Sequence, residues 1–219
     1  MPRLLFEKTG NAIWISHLDL MRVFQRSFKR AGLPLTHTRG FNPRPSVSIA
    51  LPLSVGIESH CELLDFDLDG EKIANDEICA RLNASLIDGV RVLSVYDDGR
   101  KIKNLAYLDC RLQMEYDGGI SSDAVCAIQS LFAREELPVT RKNKNGVSEQ
   151  NIIPMLRRLE VQPMDGHTLV ISARICCQNP SLNPMQLHAA IVQYLPELAP
   201  DFVACCRTEI YDETETIFR

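Results

Sequence analysis

Acidic residues are missing from one long stretch of this 219-residue chain: residues 20–57 contain no Asp and no Glu. The same stretch carries six cations, which are Arg22, Arg26, Lys29, Arg30, Arg39 and Arg44. Because the whole chain has a formal net charge of −4, positive charge is concentrated here while the remainder is acidic. A local cationic field on an acidic protein is typical of a surface that meets phosphates, so we expect a nucleic acid or another anionic partner.

Long apolar runs are missing as well. No stretch of about 18 or more apolar residues is present to span a bilayer, and residues 1–7 lack the apolar core of a secretion signal. We therefore expect a cytoplasmic location, where the eight cysteines would be reduced thiols. The two vicinal pairs, Cys176-Cys177 and Cys205-Cys206, leave zinc as an alternative to structural thiols, but neighbours on a strand point to opposite faces.

Familiar catalytic motifs are also missing. The sequence has no glycine-rich phosphate loop, no Ser–His–Asp order and no His-Glu-x-x-His helix. We therefore predict no metal and no cofactor, and we assign no catalytic residue. His17 is the one candidate acid–base group for phosphodiester cleavage; the alternative is a partly exposed histidine at a helix start.

Apolar periodicity predicts an α+β protein with two domains, residues 1–99 and residues 100–219. In the first domain the order is strand, helix, strand, strand, helix, strand, which is the antiparallel ferredoxin-like βαββαβ pattern. The predicted strands are residues 3–8 together with 12–15, 46–55, 62–68 and 90–96, and the predicted helices are residues 17–31 and 75–86.

The second half of the chain repeats this order, which predicts tandem ferredoxin-like domains. Residues 33–36 (Leu-Pro-Leu-Thr) resemble residues 137–140 (Leu-Pro-Val-Thr) at an offset of 104 residues. The predicted strands are residues 105–116, 169–176 and 202–211, the predicted helices are residues 121–135 and 184–194, and residues 146–163 receive no assignment. A second basic segment follows the repeated tetrapeptide, with Arg141, Lys142 and Lys144 as its cations.

The first helix combines a start signal with a basic face. Ser16 and Asp19 form a capping-box pattern, and Gly32 with Pro34 ends the helix. Four cations at i, i+4, i+7 and i+8 share its solvent face, and we expect them to lack acidic partners three or four residues away. These are Arg22, Arg26, Lys29 and Arg30.

The segment after the helix combines cations with an aromatic ring. Guanidinium groups pair with phosphate oxygens, and an aromatic ring stacks a base regardless of its identity. We predict that five residues of this segment bind a phosphate and stack a base: His37, Arg39, Phe41, Asn42 and Arg44. The alternative is a rigid proline-rich connection in which Phe41 packs into the core.

Four segments resemble the signature of the radical-SAM-associated domain of unknown function. They are residues 16–22 (Ser-His-Leu-Asp-Leu-Met-Arg), 30–34 (Arg-Ala-Gly-Leu-Pro), 40–45 (Gly-Phe-Asn-Pro-Arg-Pro) and 50–56 (Ala-Leu-Pro-Leu-Ser-Val-Gly). That domain occurs alone or at the C-terminus of cobalamin-binding-type radical SAM proteins. The resemblance implies a radical SAM enzyme as partner and supplies no catalytic residues.

Two further features of the sequence bear on this resemblance. Its cysteines lack the Cys-x-x-x-Cys-x-x-Cys spacing that would hold an iron–sulfur cluster, so the chain itself is not predicted to be a radical SAM enzyme. Where the family often reads Glu-Val-Asp-Ile-Arg-Pro-Tyr-Ile, residues 149–156 read Glu-Gln-Asn-Ile-Ile-Pro-Met-Leu. The Asp and the Arg of the family pattern are replaced, so a charge-dependent role does not carry over.

Three hypotheses of function follow. The first, which we prefer, is a non-catalytic accessory protein of a radical SAM enzyme that binds RNA or another phosphate-rich substrate through the basic residues. The second is a metal-independent RNA-processing endonuclease that uses His17, and it rests on analogy of fold. The third is a protein–protein adaptor whose cationic face docks on an acidic patch without nucleic acid.

Overall fold

A computed structural model describes residues 1–143 and 146–219. Over these residues the chain is α+β, with four α-helices and mostly antiparallel strands. It divides into two compact units. Unit 1 comprises Met1–Asn104 and Ile217–Arg219, and unit 2 comprises Leu105–Thr216. No α-helix of the described residues is long and apolar enough to cross a membrane.

Unit 1 contains a four-stranded antiparallel sheet and two helices. Its elements in chain order are β1 (Arg3–Lys8), α1 (His17–Arg30), β2 (Val47–Ile49), β3 (Ile57–Phe66), α2 (Asn75–Asn83) and β4 (Val90–Tyr96). The strands lie in the order β4-β1-β3-β2, and every neighbouring pair is antiparallel. The chain thus pairs β3 with both β1 and β2, and it places β4 on the outer side of β1.

Helix α1 begins and ends as its sequence predicts. The Ser16 hydroxyl accepts from the Asp19 backbone N–H at 3.2 Å, which satisfies one of the free donors of the first turn. At the other end Gly32 has a φ of +67°, and the Leu33 N–H bonds to the Phe28 carbonyl at 2.9 Å. This left-handed glycine reverses the chain, so the segment that follows α1 turns back along the unit.

Both helices of unit 1 pack in one core against the same face of the sheet. Phe24 and Phe28 of α1 are fully buried; the Phe24 ring lies edge-on to Phe6 at 4.8 Å, and the Phe28 ring is 5.1 Å from Phe66. Ile78 and Leu82 of α2 belong to the same cluster. Each buried phenylalanine contributes roughly 1.5–3 kcal/mol, so α1 is fixed in place and its opposite face is free for solvent.

Unit 2 has its own four-stranded sheet, a hairpin and two helices. Its elements are β5 (Leu105–Glu115), α3 (Ala124–Phe132), β6 (Pro138–Asn143), β7 (Gly146–Asn151), β8 (Leu156–Pro163), β9 (Thr168–Cys176), α4 (Met185–Tyr194) and β10 (Phe202–Asp212). The sheet order is β10-β5-β9-β8, all antiparallel, and β6 pairs with β7 as a separate hairpin. Phe132 of α3 is buried, and so are Phe24, Phe28 and Phe66 of unit 1.

Two predicted strands of unit 1 are wrong in part. Residues 12–14 belong to a 3-10 helix, Gly10–Trp14, and Ile15 follows it. The buried Lys8 ammonium donates hydrogen bonds to the Ile13 and Ile15 carbonyls at 3.0 and 2.9 Å. The Ile13 carbonyl also accepts from the Gly56 N–H at 2.9 Å, so both carbonyls are engaged outside a strand ladder. The strand predicted over residues 46–55 is reduced to Val47–Ile49, since Pro52 has no N–H to donate to a ladder.

The unassigned residues 146–163 form two strands, β7 and β8. The predicted helices over residues 75–86 and 121–135 are shorter in the structure and end at Asn83 and Phe132. Strand β4 has the bounds that were predicted for it.

Candidate nucleic-acid interface

Two neighbouring segments of unit 1 hold most of the predicted binding residues: helix α1 and the loop of residues 31–46 that joins it to β2. Arg26 and Lys29 extend from the solvent face of α1. Within the described residues, neither side chain has a hydrogen-bond or ion-pair partner. Lys29 lies in the last turn, where a cation also complements the helix dipole.

The other two cations predicted on the solvent face of α1, Arg22 and Arg30, have partners. Arg22 donates to the Asp19 carboxylate at 2.7 Å, so the expectation of no acidic partner is wrong at this position. Asp19 precedes the acid-free stretch by one residue, and hydrogen bonds from Ser16 and then Arg22 lower the pKa of its carboxyl group. Arg30 donates to the Ser27 hydroxyl at 3.0 Å and to the Ser85 carbonyl, which ties α1 to the turn after α2.

The loop of residues 31–46 is held by its own backbone. The Thr38 N–H bonds to the Arg44 carbonyl at 2.8 Å, and the Ser46 N–H bonds to the Thr36 carbonyl at 2.8 Å. His37 and Pro45 form an antiparallel bridge between these two bonds. Residues 39–43 are therefore the tip of a closed, hairpin-like loop.

Phe41 stands at this tip and is completely exposed, with a relative accessibility of 108%. The alternative in which Phe41 packs into the core is therefore wrong. Arg39, Asn42 and Arg44 are exposed around it. Within residues 1–143 and 146–219, the side chains of Arg39 and Arg44 form no hydrogen bond or ion pair. We define the basic surface as Arg26, Lys29, Arg39, Phe41 and Arg44.

A pocket of about 420 Å³ opens where α1 meets the base of the loop. Its apolar walls are Leu33, Pro34, Leu35 and Pro45, and its polar groups are Gln25, Lys29 and His37, with Gly32 completing the lining. Lys29 of α1 and His37 of the loop thus line the same pocket, although the sequence places them in separate motifs.

The second basic segment lies in unit 2. Arg141 is exposed on β6 opposite Ser148 of β7, and Lys142 follows it in the same strand. Lys144 lies outside the described residues. The assignment of these three residues to an RNA-binding surface stays a prediction.

His17 is the first residue of α1 and is half-buried. In the described part of the chain it has no hydrogen-bond or ion-pair partner that would orient its imidazole. General acid–base catalysis needs a positioned group, and this geometry does not supply the positioning partner.

A second polar cluster, which the sequence analysis missed, lies in unit 2. Arg174 is buried; its guanidinium donates to both Asp109 carboxylate oxygens, at 2.8 and 2.9 Å, and to Glu215 at 2.6 Å. The Tyr211 hydroxyl donates to Asp109 at 3.0 Å, and its ring lies 3.7 Å from the Arg174 guanidinium carbon. Four residues from three strands and one turn converge here, and no sequence motif marks them.

The eight cysteines are free thiols, and four of them, Cys61, Cys110, Cys177 and Cys205, are buried. Burial raises the pKa of Cys177 and of Cys205 to about 12, so neither thiol ionises near neutral pH. Among the described residues no group of three or more His, Cys, Asp or Glu side chains is placed to hold a metal ion.

Cys126 on α3 is the one exposed thiol and should react first with a maleimide at pH 7. Thiolate character and access control alkylation, and the buried thiols have neither. Peptide mass spectrometry after partial labelling should find the adduct on Cys126, and Cys126→Ser should remove the fast phase. Rapid labelling of Cys177 or Cys205 in the native protein would contradict this burial.

Comparison with known proteins assigns the chain to a family. Residues 2–184 match the family described as "Uncharacterized protein conserved in bacteria (DUF2344)", and the chain belongs to this family. No protein of curated function matches the sequence.

Solved structures resemble this chain in fold. A chain of the "Crystal Structure of a Cbf5-Nop10-Gar1 Complex" has a TM-score of 0.53 and 10% identity over 97% of this chain and 50% of that chain. A chain of the "Structure of H/ACA RNP bound to a substrate RNA containing 2'-deoxyuridine" has a TM-score of 0.52 and 10% identity over 99% of this chain and 50% of that chain. The present chain spans about half the length of both, and at this identity the likeness concerns the fold alone.

Proposed function

We propose that this protein is a non-catalytic accessory protein that binds RNA through the basic surface of unit 1 and works with a radical SAM enzyme. The observation that carries the proposal is a set of four cations whose side chains make no hydrogen bond or ion pair among the described residues, Arg26, Lys29, Arg39 and Arg44, together with the fully exposed Phe41 at the loop tip. Guanidinium and ammonium groups that are free of carboxylates remain available for phosphates.

Exposure of Phe41 favours RNA over an isolated anion. Burial of a phenylalanine is worth about 1.5–3 kcal/mol, and the loop forgoes this stabilisation while holding the ring in solvent. Proteins that bind single strands combine a cationic groove with aromatic platforms on which bases stack. The basic surface has both components within one helix and one loop.

The fold is compatible with this function. We interpret both units as variants of the ferredoxin-like fold: β4-β1-β3-β2 in unit 1 and β10-β5-β9-β8 in unit 2 are the same order, with the β6–β7 hairpin inserted in the second. Four-stranded sheets of this type also serve as RNA-binding modules. One of the solved structures with a similar fold is described as bound to a substrate RNA.

The partner enzyme is inferred from the sequence motifs. Residues 16–22 and 30–34 include the start and end of α1, and residues 40–45 include Phe41 and Arg44. Two of the five residues of the basic surface, Phe41 and Arg44, therefore lie within the segments that resemble the radical-SAM-associated domain. We infer that this surface presents RNA to the partner rather than performing chemistry itself.

Binding of a fluorescein-labelled ten-nucleotide oligouridylate, followed by fluorescence anisotropy at several salt concentrations, tests the RNA proposal. Four phosphate contacts on a single strand give a salt slope of about −3 and an affinity loss of about 50-fold between 50 and 200 mM salt. Absence of binding, or binding that is insensitive to salt, would refute the proposal.

Co-purification from native cells tests the partner. A protein with the Cys-x-x-x-Cys-x-x-Cys motif should remain bound to this chain after ribonuclease treatment, because an accessory protein contacts its enzyme directly. Loss of that protein on ribonuclease treatment would mean that RNA alone bridges the two.

A further inference from the structure

The pocket at the base of the loop has the size of a small-ligand site. Its volume is about 420 Å³, and pockets that bind small molecules have volumes of about 300–1,000 Å³. Two structural features fix its walls: the left-handed Gly32, which turns the chain after α1, and the His37–Pro45 bridge, which closes the loop. The space is therefore preformed between two anchored segments.

The lining of the pocket matches the chemistry of a nucleobase. Pro34, Leu35 and Pro45 offer apolar surfaces to the faces of a ring. The Gln25 amide both donates and accepts, and the His37 imidazole does the same when neutral, so together they can meet the edge of any base.

Charge at the pocket favours a nucleotide over an uncharged ring. Lys29 lines the pocket, and in the described residues no carboxylate pairs with its ammonium group. Arg26 stands one helical turn earlier on the same face of α1. One carboxylate is hydrogen-bonded to the loop: Asp67 accepts from the Thr36 hydroxyl at 3.0 Å, and it forms no ion pair with Lys29. A phosphate attached to a base in this pocket would therefore meet unpaired positive charge.

We infer that this pocket accepts one unstacked base of a single-stranded RNA and that Lys29 contacts the phosphate of the same nucleotide. The inference rests on the proposed RNA-binding function and deepens it, because it makes the protein selective for unpaired nucleotides. A base inside a duplex is stacked and paired, so it cannot enter; bases in loops and single strands are free to do so.

A comparison of two oligomers with equal charge tests the pocket. The probes are the ten-nucleotide oligouridylate and a ten-unit oligomer of the same backbone without bases. Both are measured with a Phe41→Ala variant, which removes the other stacking position. The oligouridylate should bind about 5- to 150-fold more tightly, the range for one stacked base. Adding Gln25→Trp, which fills the pocket, should abolish the preference and leave the affinity for the abasic oligomer unchanged.

A second measurement uses the unaltered protein, so the test does not depend on correct folding of the Gln25→Trp variant. During titration with uridine 5′-monophosphate, the imidazole NMR signal of His37 should shift, while that of the exposed His60 on β3 should stay in place. Equal affinities for the two oligomers, or an unmoved His37 signal, would overturn the pocket inference. Binding of both oligomers with equal affinity would leave the proposed function standing, whereas binding of neither would end both.

Discussion

The variant Arg26→Gln/Lys29→Gln/Arg44→Gln is expected to bind the ten-nucleotide oligouridylate about 100-fold more weakly at 0.1 M salt than the unaltered protein does. Each phosphate contact on a single strand contributes about 0.7 to the salt slope, so three lost contacts reduce the slope by about 2. Because counterion release contributes little near 1 M salt, this change in slope corresponds to an affinity that is about 100-fold lower at 0.1 M salt. The measurement is fluorescence anisotropy at five or more salt concentrations.

The choice of these three residues follows from the contacts in unit 1. Arg22 is paired with Asp19, and Arg30 joins α1 to the Ser85 carbonyl, so their replacement would change the helix as well as the surface. Arg26, Lys29 and Arg44 have no recorded side-chain partner among the described residues. Their neutral variants should therefore keep the thermal stability of the protein within about 0.5 kcal/mol each, the usual range for surface changes.

A matched variant removes the same amount of charge from elsewhere in unit 1. Lys72, Arg81 and Arg91 are exposed; Lys72 pairs with Asp97 and Arg81 pairs with Glu77. The variant Lys72→Gln/Arg81→Gln/Arg91→Gln has the same net charge as the first variant. It should keep the salt slope of the unaltered protein. If both variants lose affinity equally, binding depends on overall charge and the basic surface has no special role.

Local signals in the sequence are sufficient to predict where helix α1 begins and ends. Its cap at Ser16, its apolar stripe and its terminal glycine are all within the helix or next to it, and the structure confirms each of them. Strand β4 is likewise predicted to the residue. These elements follow from short-range patterns, which tertiary contacts here reinforce rather than override.

Contacts that follow no periodic sequence pattern explain the elements that the sequence does not reveal. The Lys8 ammonium donates hydrogen bonds to the Ile13 and Ile15 carbonyls, and the apolar periodicity of the sequence does not predict that interaction. Strand β8 escapes detection because its pairing register with β9 shifts between Leu156 and Arg158. A bulge of this kind breaks the alternation by which strands are recognised.

The candidate site is predictable in composition but not in detail. The acid-free sequence identifies α1 and its loop, and the i,i+3 spacing of Asp19 and Arg22 indicates their ion pair, but no local pattern reveals that Phe41 is fully exposed. The pocket is beyond sequence analysis because Gln25 and Pro45 meet only through the turn at Gly32 and the closure of the loop.

The substitution Arg174→Met is expected to lower the free energy of unfolding by about 3–5 kcal/mol, because it leaves the Asp109 carboxylate without its main partner. Side-chain accessibilities of 11% for Arg174 and 17% for Asp109 keep water from replacing the lost hydrogen bonds. The hydrogen bonds to Asp109 raise the pKa of the Arg174 guanidinium above its already high usual value. Its charge therefore persists at every practical pH, and substitution is the way to remove it.

The double variant Asp109→Leu/Arg174→Met separates the cost of an unpaired charge from the value of the pair. Replacing both members of a buried ion pair with apolar residues is often neutral, so the double variant should recover most of the lost stability. Urea unfolding followed by circular dichroism measures this double variant and the two single variants, Asp109→Leu and Arg174→Met, and the coupling energy of the cycle should exceed about 1 kcal/mol for residues in direct contact.

The result also decides how the cluster in unit 2 is to be interpreted. Both Asp109 oxygens and three guanidinium nitrogens of Arg174 are already engaged within the cluster. A large loss in the single variant and recovery in the double variant would identify these residues as a structural tie between β5 and β9. A single variant that unfolds like the unaltered protein would contradict this role, and would mean that the exposed Arg158, 3.8 Å from the Asp109 carboxylate, replaces Arg174 as its partner.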